Sequence, residues 1–205
     1  MIDIENLIIK LKETYPDAKC SLDFAHPFEM VVAVILSAQC TDERVNKTTP
    51  TIFNKYSTPQ DFAKIDINEL EQLIHPCGFY KNKAKNIKAC AEKIVNLFGG
   101  IVPNTMEELL TLPGVGRKSS NVILLECYDI CVGVAVDTHA KRISNRLGLS
   151  TSSDPEKIEI DLINKIPKKY LKDVNHLFMW HGRNICTAKN PKCNICPISD
   201  CPFNM

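Results

Sequence analysis

The sequence predicts an all-α fold, and three observations carry that reading. Apolar residues recur at i, i+3 and i+4 through most of the 205-residue chain. The recurrences start at Thr, Asp or Pro and stop at Gly or Pro, which are the usual boundaries of helices. Strand-like alternation is nearly absent: only CVGVAV, Cys131 to Val136, reads as a strand, and it is too short to found a sheet. At 44% apolar residues the chain has enough material for one large core or two small ones.

The elements follow in order. Ile4, Leu7, Ile8 and Leu11 lie at helical spacing in a first amphipathic segment that stops near Pro16. PFEMVVAVILSAQ, Pro27 to Gln39, opens with Pro and is apolar almost all round, as a buried central helix would be. Thr41 and Asp42 start another helix running to about Tyr56, and short helices are expected at Pro59 to Ile65 and Ile67 to Ile74. From Lys81 to Phe98 one face carries Ile87, Ala91, Ile94, Val95 and Phe98, and Gly99-Gly100 ends the run. Thr105 and Glu108 stand at capping-box spacing, so NTMEELLTL is helical. Asp137 is an N-cap for a helix from Thr138 to Leu147. Helices near Pro155 to Lys165 and Lys169 to Asn184 complete the set.

No run approaches the roughly 18 to 20 apolar residues of a membrane span. The N-terminus has no basic region leading into an apolar one. The expectation is a cytoplasmic, monomeric protein with no membrane partner. The formal net charge is +1, but it is unevenly spread: residues 1–110 carry 12 Lys and Arg against 15 Asp and Glu, and residues 111–205 carry 13 against 9. The basic excess of the second part suits a polyanionic partner. Of the 10 cysteines, Cys20, Cys40, Cys77, Cys90, Cys127 and Cys131 are scattered through helical or apolar contexts and read as buried thiols.

The other four, Cys186, Cys193, Cys196 and Cys201, fall within CTAKNPKCNICPISDC. Four thiolates so close can enclose a metal centre, and a segment this short has little other means of ordering itself. A cubane iron–sulfur cluster and a single zinc are both open. Zinc sites usually pair two Cys-x-x-Cys units and only one is present, so the uneven spacing fits a cluster better. Lys189 and Lys192 would then sit on a short basic loop held in shape by the metal.

LPGVGRKSSNVIL, Leu112 to Leu124, stands between two expected helices and supports two readings. Gly114 and Gly116 make a tight turn and Arg117 and Lys118 are solvated charges. Alternatively, the turn offers backbone N–H groups to an anion and Lys118 performs chemistry.

LSAQCTD (Leu36 to Asp42), LPGVGRK, VDTH (Val136 to His139) and HGRNIC with the cysteine tail occur in one order over almost the whole chain. Together they resemble the endonuclease III branch of the helix-hairpin-helix DNA glycosylases. The resemblance implies a helical bundle at 21–131, with the helix-hairpin-helix at about 107–128. A second helical domain would comprise 1–20 and 132–205 and hold a [4Fe–4S] cluster on the four cysteines. The spacing before Cys201 is one residue shorter than the family's. The implied partner is duplex DNA containing damaged bases or abasic sites.

The same resemblance implies the roles. Gly114, Gly116 and Arg117 would grip phosphate, with a monovalent cation in the turn, and Lys189 and Lys192 would add contacts. Gln39 and Phe79 would fill the gap left when a base is turned out of the duplex; Phe79 as a core residue is the alternative. Lys118 would attack the sugar C1′ as an amine nucleophile. Asp137 would accept a proton and oppose the positive charge of the sugar, and His139 would line the pocket. The implied activity is removal of oxidised or saturated pyrimidines followed by β-elimination. Mismatch glycosylases and pyrimidine-dimer glycosylases of the same fold, and a non-catalytic DNA-binding module, are the alternatives.

Overall fold

The computed structural model describes residues 2–204, and every regular element among them is helical. The chain forms α1 (Ile4–Thr14), α2 (Pro27–Ser37), α3 (Asp42–Phe53), α4 (Pro59–Lys64), α5 (Ile67–Ile74), α6 (Tyr80–Phe98), α7 (Met106–Leu110), α8 (Arg117–Tyr128), α9 (Thr138–Arg146), α10 (Pro155–Lys165) and α11 (Leu171–Asn184). Side chains cap most of the N-termini. Asp3, Thr41, Thr58, Asp66, Thr105, Asp137 and Asp154 each accept from a backbone N–H of the first turn that has no partner inside the helix. The complete reciprocal capping box is at Thr58 and Asp61. At Thr105 the hydroxyl accepts from the Glu108 N–H and donates to its carboxylate at 2.6 Å.

Several boundaries differ from the sequence reading, and the helix read over NTMEELLTL shortens to Met106–Leu110. Helix α2 stops at Ser37 because Gln39 turns left-handed, φ 53°. Helix α3 stops at Phe53, and the segment expected from Lys169 begins as a 3₁₀ turn, Lys168–Tyr170, before α11. The one strand candidate, CVGVAV, forms no strand; residues 131–136 have no regular structure. A strand needs a neighbouring edge for its N–H and C=O groups, and no strand exists among the described residues to provide one. Val134, Ala135 and Val136 are buried all the same, which accounts for the apolar pattern.

The chain divides into two compact units, Cys20–Ile130 and Met1–Lys19 with Cys131–Met205. In the first, α2 is buried along almost its whole length, from Phe28 to Leu36. It packs on α3, α6 and α8, while α4 and α5 lie on α6 and α7 folds back on α8. A helix apolar on every side must be covered on every side, so α2 is the axis of this unit. In the second, α9 packs on α10 and α11, and α1 packs on α11. Leu7, Ile8, Leu11, Val134, Val136, Ile143, Leu162, Val174 and Phe178 share its core.

Candidate active site and metal centre

In the unit Cys20–Ile130, α7, the turn from Thr111 to Gly116 and α8 form a helical hairpin. The two glycines do different work. Gly114 has φ 81°, where a side chain is strained, and a Cβ there would meet the Asn86 Cβ at 3.0 Å. Gly116 has extended backbone, φ −102° and ψ 178°, and a Cβ there would meet nothing within 4 Å. It is the N-cap of α8 and brings no side chain to cap the first N–H groups of that helix. The turn therefore needs Gly114 for its shape, and Gly116 leaves open space in front of a helix N-terminus. Arg117 and Lys118 are the first two residues of α8, and Lys118 is exposed.

The same unit carries Gln39 and Phe79. Both adopt the left-handed region, with φ 53° and 47°, which is uncommon for residues with a side chain. Phe79 is 70% exposed, so the core alternative for it is set aside. Gln39 is exposed as well.

In the other unit, Asp137 caps α9 through Oδ1, which accepts from the Ala140 N–H at 2.7 Å. One carboxylate oxygen thus anchors the helix, and a carboxylate has a second to offer. His139 lies on the first turn of α9 with its Nδ1 3.1 Å from Arg142 Nη2. A guanidinium can only donate, so Nδ1 accepts. Burial holds this imidazole below its ordinary pKa; the neighbouring Asp137 opposes the shift, and Arg142 and Arg183 add to it. A Cβ on Gly182 would meet His139 Nδ1 at 2.7 Å and Arg142 Nη2 at 2.9 Å, so the glycine of HGRNIC lets α11 approach α9 closely.

Cys186, Cys193, Cys196 and Cys201 line one cavity of about 400 Å³, counted to its open mouth, together with Ile143, Arg146, Leu147, His181 and Ile198. Among the described residues, no three His, Cys, Asp or Glu side chains meet closely enough to share a single ion. The thiols stand around a volume, and soft sulfur donors on the walls of an apolar cavity fit a polynuclear iron–sulfur group. Cys201 belongs to that wall despite the shortened PISD spacing. Burial pushes the Cys196 thiol up, and Cys201, Cys186 and Cys193 add to the shift. Iron would remove that cost by binding the thiolates. Lys189 and Lys192 are exposed on the loop between the first two cysteines.

Residues that the sequence reading did not single out hold this tail. Arg146 donates to the Cys186 Sγ at 3.2 Å, the Thr187 carbonyl at 2.8 Å and the Ala188 carbonyl at 3.1 Å. Arg142 donates to the Cys186 carbonyl at 3.0 Å and the Gly182 carbonyl at 2.9 Å. Beside the cavity, the Tyr15 hydroxyl lies 3.1 Å from His181 Nδ1, and His181 Nε2 lies 3.7 Å from the Cys196 Sγ. Burial lowers His181 to about 4. The available signal was the i, i+4 spacing of Arg142 and Arg146, which puts both on one face of a helix.

Residues 32–168 match the profile of the HhH-GPD superfamily base excision DNA repair proteins, and residues 186–200 match the iron–sulfur binding domain of endonuclease III. The latter match stops one residue short of Cys201. The endonuclease III of Synechocystis sp. is 50% identical over 197 residues, covering 96% of this chain and 90% of that one. That of Bacillus subtilis is 42% identical over 196 residues, covering 95% and 89%. A solved structure of a trapped endonuclease III–DNA covalent intermediate aligns with a TM-score of 0.92 at 38% identity, covering 99% of this chain and 97% of that one. A thermostable thymine-DNA glycosylase shares the fold, with a TM-score of 0.84 at 22% identity.

Proposed function

The chain belongs to the HhH-GPD superfamily of base excision DNA repair proteins, in its endonuclease III family, and on that premise we propose a role for each element of the site. The protein is a bifunctional DNA glycosylase and AP lyase with a [4Fe–4S] cluster, acting on duplex DNA. Its substrates on our reading are oxidised or saturated pyrimidines, and its location is cytoplasmic, on DNA. Among the described residues no helix is long and apolar enough to cross a membrane.

The observation that carries the assignment is Lys118, an exposed amine on the first turn of α8, directly after an N-cap glycine that brings no side chain to the leading N–H groups of that helix. Phosphate oxygens approach those N–H groups past Gly116, and Arg117 adds positive charge. Such contacts place the strand without reading its sequence. The damaged nucleotide leaves the stack more readily than a sound one, at a cost of about a few kcal/mol. Gln39 and Phe79 fill the space it vacates.

The Lys118 amine then attacks C1′, and the bond from C1′ to the base breaks with its electron pair leaving on the base. The proton lost from the amine passes to the Asp137 carboxylate and is delivered to the departing base. Asp137 also opposes the positive charge that builds on the sugar. The nitrogen lone pair then expels O4′ from C1′, O4′ takes up a proton as the ring opens, and the resulting iminium acidifies the C2′ proton; its removal expels the 3′ phosphate, and water releases the amine. A hydroxyl in place of Lys118 could form no iminium, which disfavours the mismatch glycosylases as a reading. The cluster, held by Cys186, Cys193, Cys196 and Cys201, supplies iron–thiolate bonds that brace the loop bearing Lys189 and Lys192.

Borohydride reduction in the presence of abasic DNA tests the assignment. The wild-type chain should be trapped covalently on the DNA and Lys118→Ala should not; a trapped Lys118→Ala chain would remove Lys118 as the nucleophile.

A further inference from the structure

Lys83 is a lysine inside the protein, only 4% exposed, on the first turn of α6. Its ammonium donates to two main-chain carbonyls: Leu36, in the last turn of α2, at 2.7 Å, and Cys77, at the end of the 3₁₀ turn His75–Cys77, at 2.9 Å. Each carbonyl sits just before an exposed left-handed residue, one before Gln39 and the other before Phe79. Leu36 precedes Gln39 by three positions and Cys77 precedes Phe79 by two. Two separate segments, each ending in backbone of an uncommon kind, are thus tied to one nitrogen.

A buried ammonium is held at a cost, since burial favours the neutral amine and holds Lys83 below the ordinary lysine range; the nearby Cys40 and Cys77 oppose that shift. Packing alone does not explain the residue, because a Met or Leu would fill the same space without that cost. The amine caps the ends of two other elements, since Leu36 and Cys77 lie in the last turns of α2 and of the 3₁₀ turn, where carbonyls have no partner inside the element. What the amine does is fix where α2 ends relative to the start of α6. Strained backbone persists only where its surroundings over-determine it. Lys83 supplies that constraint to both segments at once.

We propose that Lys83 is a positioning residue for base extrusion, clamping the Leu36 and Cys77 carbonyls so that Gln39 and Phe79 stand together, ready to enter the stack. The inference rests on the gap-filling role given above to Gln39 and Phe79. Lys83 touches no reacting atom on this reading; it prepays the ordering of two segments that DNA would otherwise have to order on binding.

The test is Lys83→Met, which keeps the length of the side chain and removes the donors. On a duplex carrying one oxidised pyrimidine, single-turnover base release should fall at least tenfold. The fluorescence rise of a 2-aminopurine placed opposite the lesion, which reports unstacking, should be lost. Borohydride trapping on a single-stranded abasic oligonucleotide has no stacked gap to fill and should stay within twofold of wild type. Loss of single-stranded trapping as well would make Lys83 merely structural and overturn the proposal, as would wild-type base release.

In a Gln39→Ala, Phe79→Ala background, Lys83→Met should add less than a twofold loss. An equal loss in both backgrounds overturns the clamp. A double variant that releases base at the wild-type rate overturns the gap-filling role itself, a result separate from any behaviour of Lys83. Should Lys83→Met fail to fold, Lys83→Arg decides: its guanidinium keeps donors for both carbonyls and should retain extrusion, and a folded Lys83→Arg chain with no 2-aminopurine response overturns the proposal.

Discussion

The Arg146 guanidinium donates to the Cys186 Sγ at 3.2 Å, joining the last residue of α9 to the first cysteine of the tail. The same guanidinium lies 4.4 Å from the centre of the Phe203 ring, so it is packed as well as bonded. An N–H donor stabilises a thiolate, and two further bonds to the Thr187 and Ala188 carbonyls shape the loop. In Arg146→Met the packing survives and the donors do not. Iron and acid-labile sulfide per chain should be lost to a chelator several times faster than in the wild type. Equal loss rates would show that the cluster needs no help from α9, and one equivalent of zinc in anaerobically purified protein would contradict the cluster.

Asp137 has two duties that substitution separates. Its cap of α9 needs only an acceptor oxygen, which Asn provides; its proposed chemistry needs a negative charge. Asp137→Asn should therefore melt close to wild type while base release drops by orders of magnitude. Asp137→Ala should lose the chemistry and also about 1 kcal/mol of stability from the missing cap. Thermal melts beside single-turnover assays check both. An Asn variant that melts early but turns over normally would reduce Asp137 to a cap.

The hairpin glycines should part company in the same way. Gly114→Ala forces a side chain into φ 81° and onto Asn86, and should destabilise the unit by about 1 to 3 kcal/mol. Gly116→Ala meets no atom within 4 Å and should cost less than about 1 kcal/mol as an N-cap change. Its effect should appear on DNA instead, as weaker binding with a shallower salt dependence. Binding isotherms across a salt series decide this, and unchanged affinity in Gly116→Ala would move the phosphate grip elsewhere.

His139 gives a pH dependence of definite sign. Its folded pKa is depressed below 6.5, chiefly by burial, so the unfolded chain takes up the proton first as pH falls. The stability held by the neutral imidazole is complete above the unfolded value and is lost as pH drops from about 6.5 towards the lower folded pKa. His139→Gln, neutral throughout, should remove part of the fall in melting temperature over that window. An identical slope in the variant would mean that the imidazole is not held neutral.

Helix positions were legible because caps and breakers act locally. Thr41 and Asp137 mark their helices in the sequence as in the structure, and the apolar face from Ile87 to Ile94 is buried. The end of α2 was not legible, because nothing in a glutamine announces φ 53°; that conformation is imposed from outside the segment. CVGVAV looked like a strand candidate because burial and strand pairing leave the same apolar signature. The residues proposed to bear the chemistry stood out by type and spacing. Lys83, Arg142 and Arg146 did not, because a lysine or arginine on a helix ordinarily points to water, and only tertiary structure reveals one turned to a carbonyl.

Helix α6 directly follows its N-cap Phe79, carries Lys83 on its first turn and sets Asn86 against Gly114 of the hairpin. From Tyr80 to Asn86 the helix rises about 9 Å, a length that neither end can alter. The helix is therefore a ruler between the residue proposed to enter the duplex and the turn proposed to meet its backbone. Inserting a single residue between them would advance Asn86 by about 1.5 Å and swing it about 100° around the axis. The spacing of nucleotides along DNA is constant, and a rigid rod of constant length is a simple way for a protein to match it.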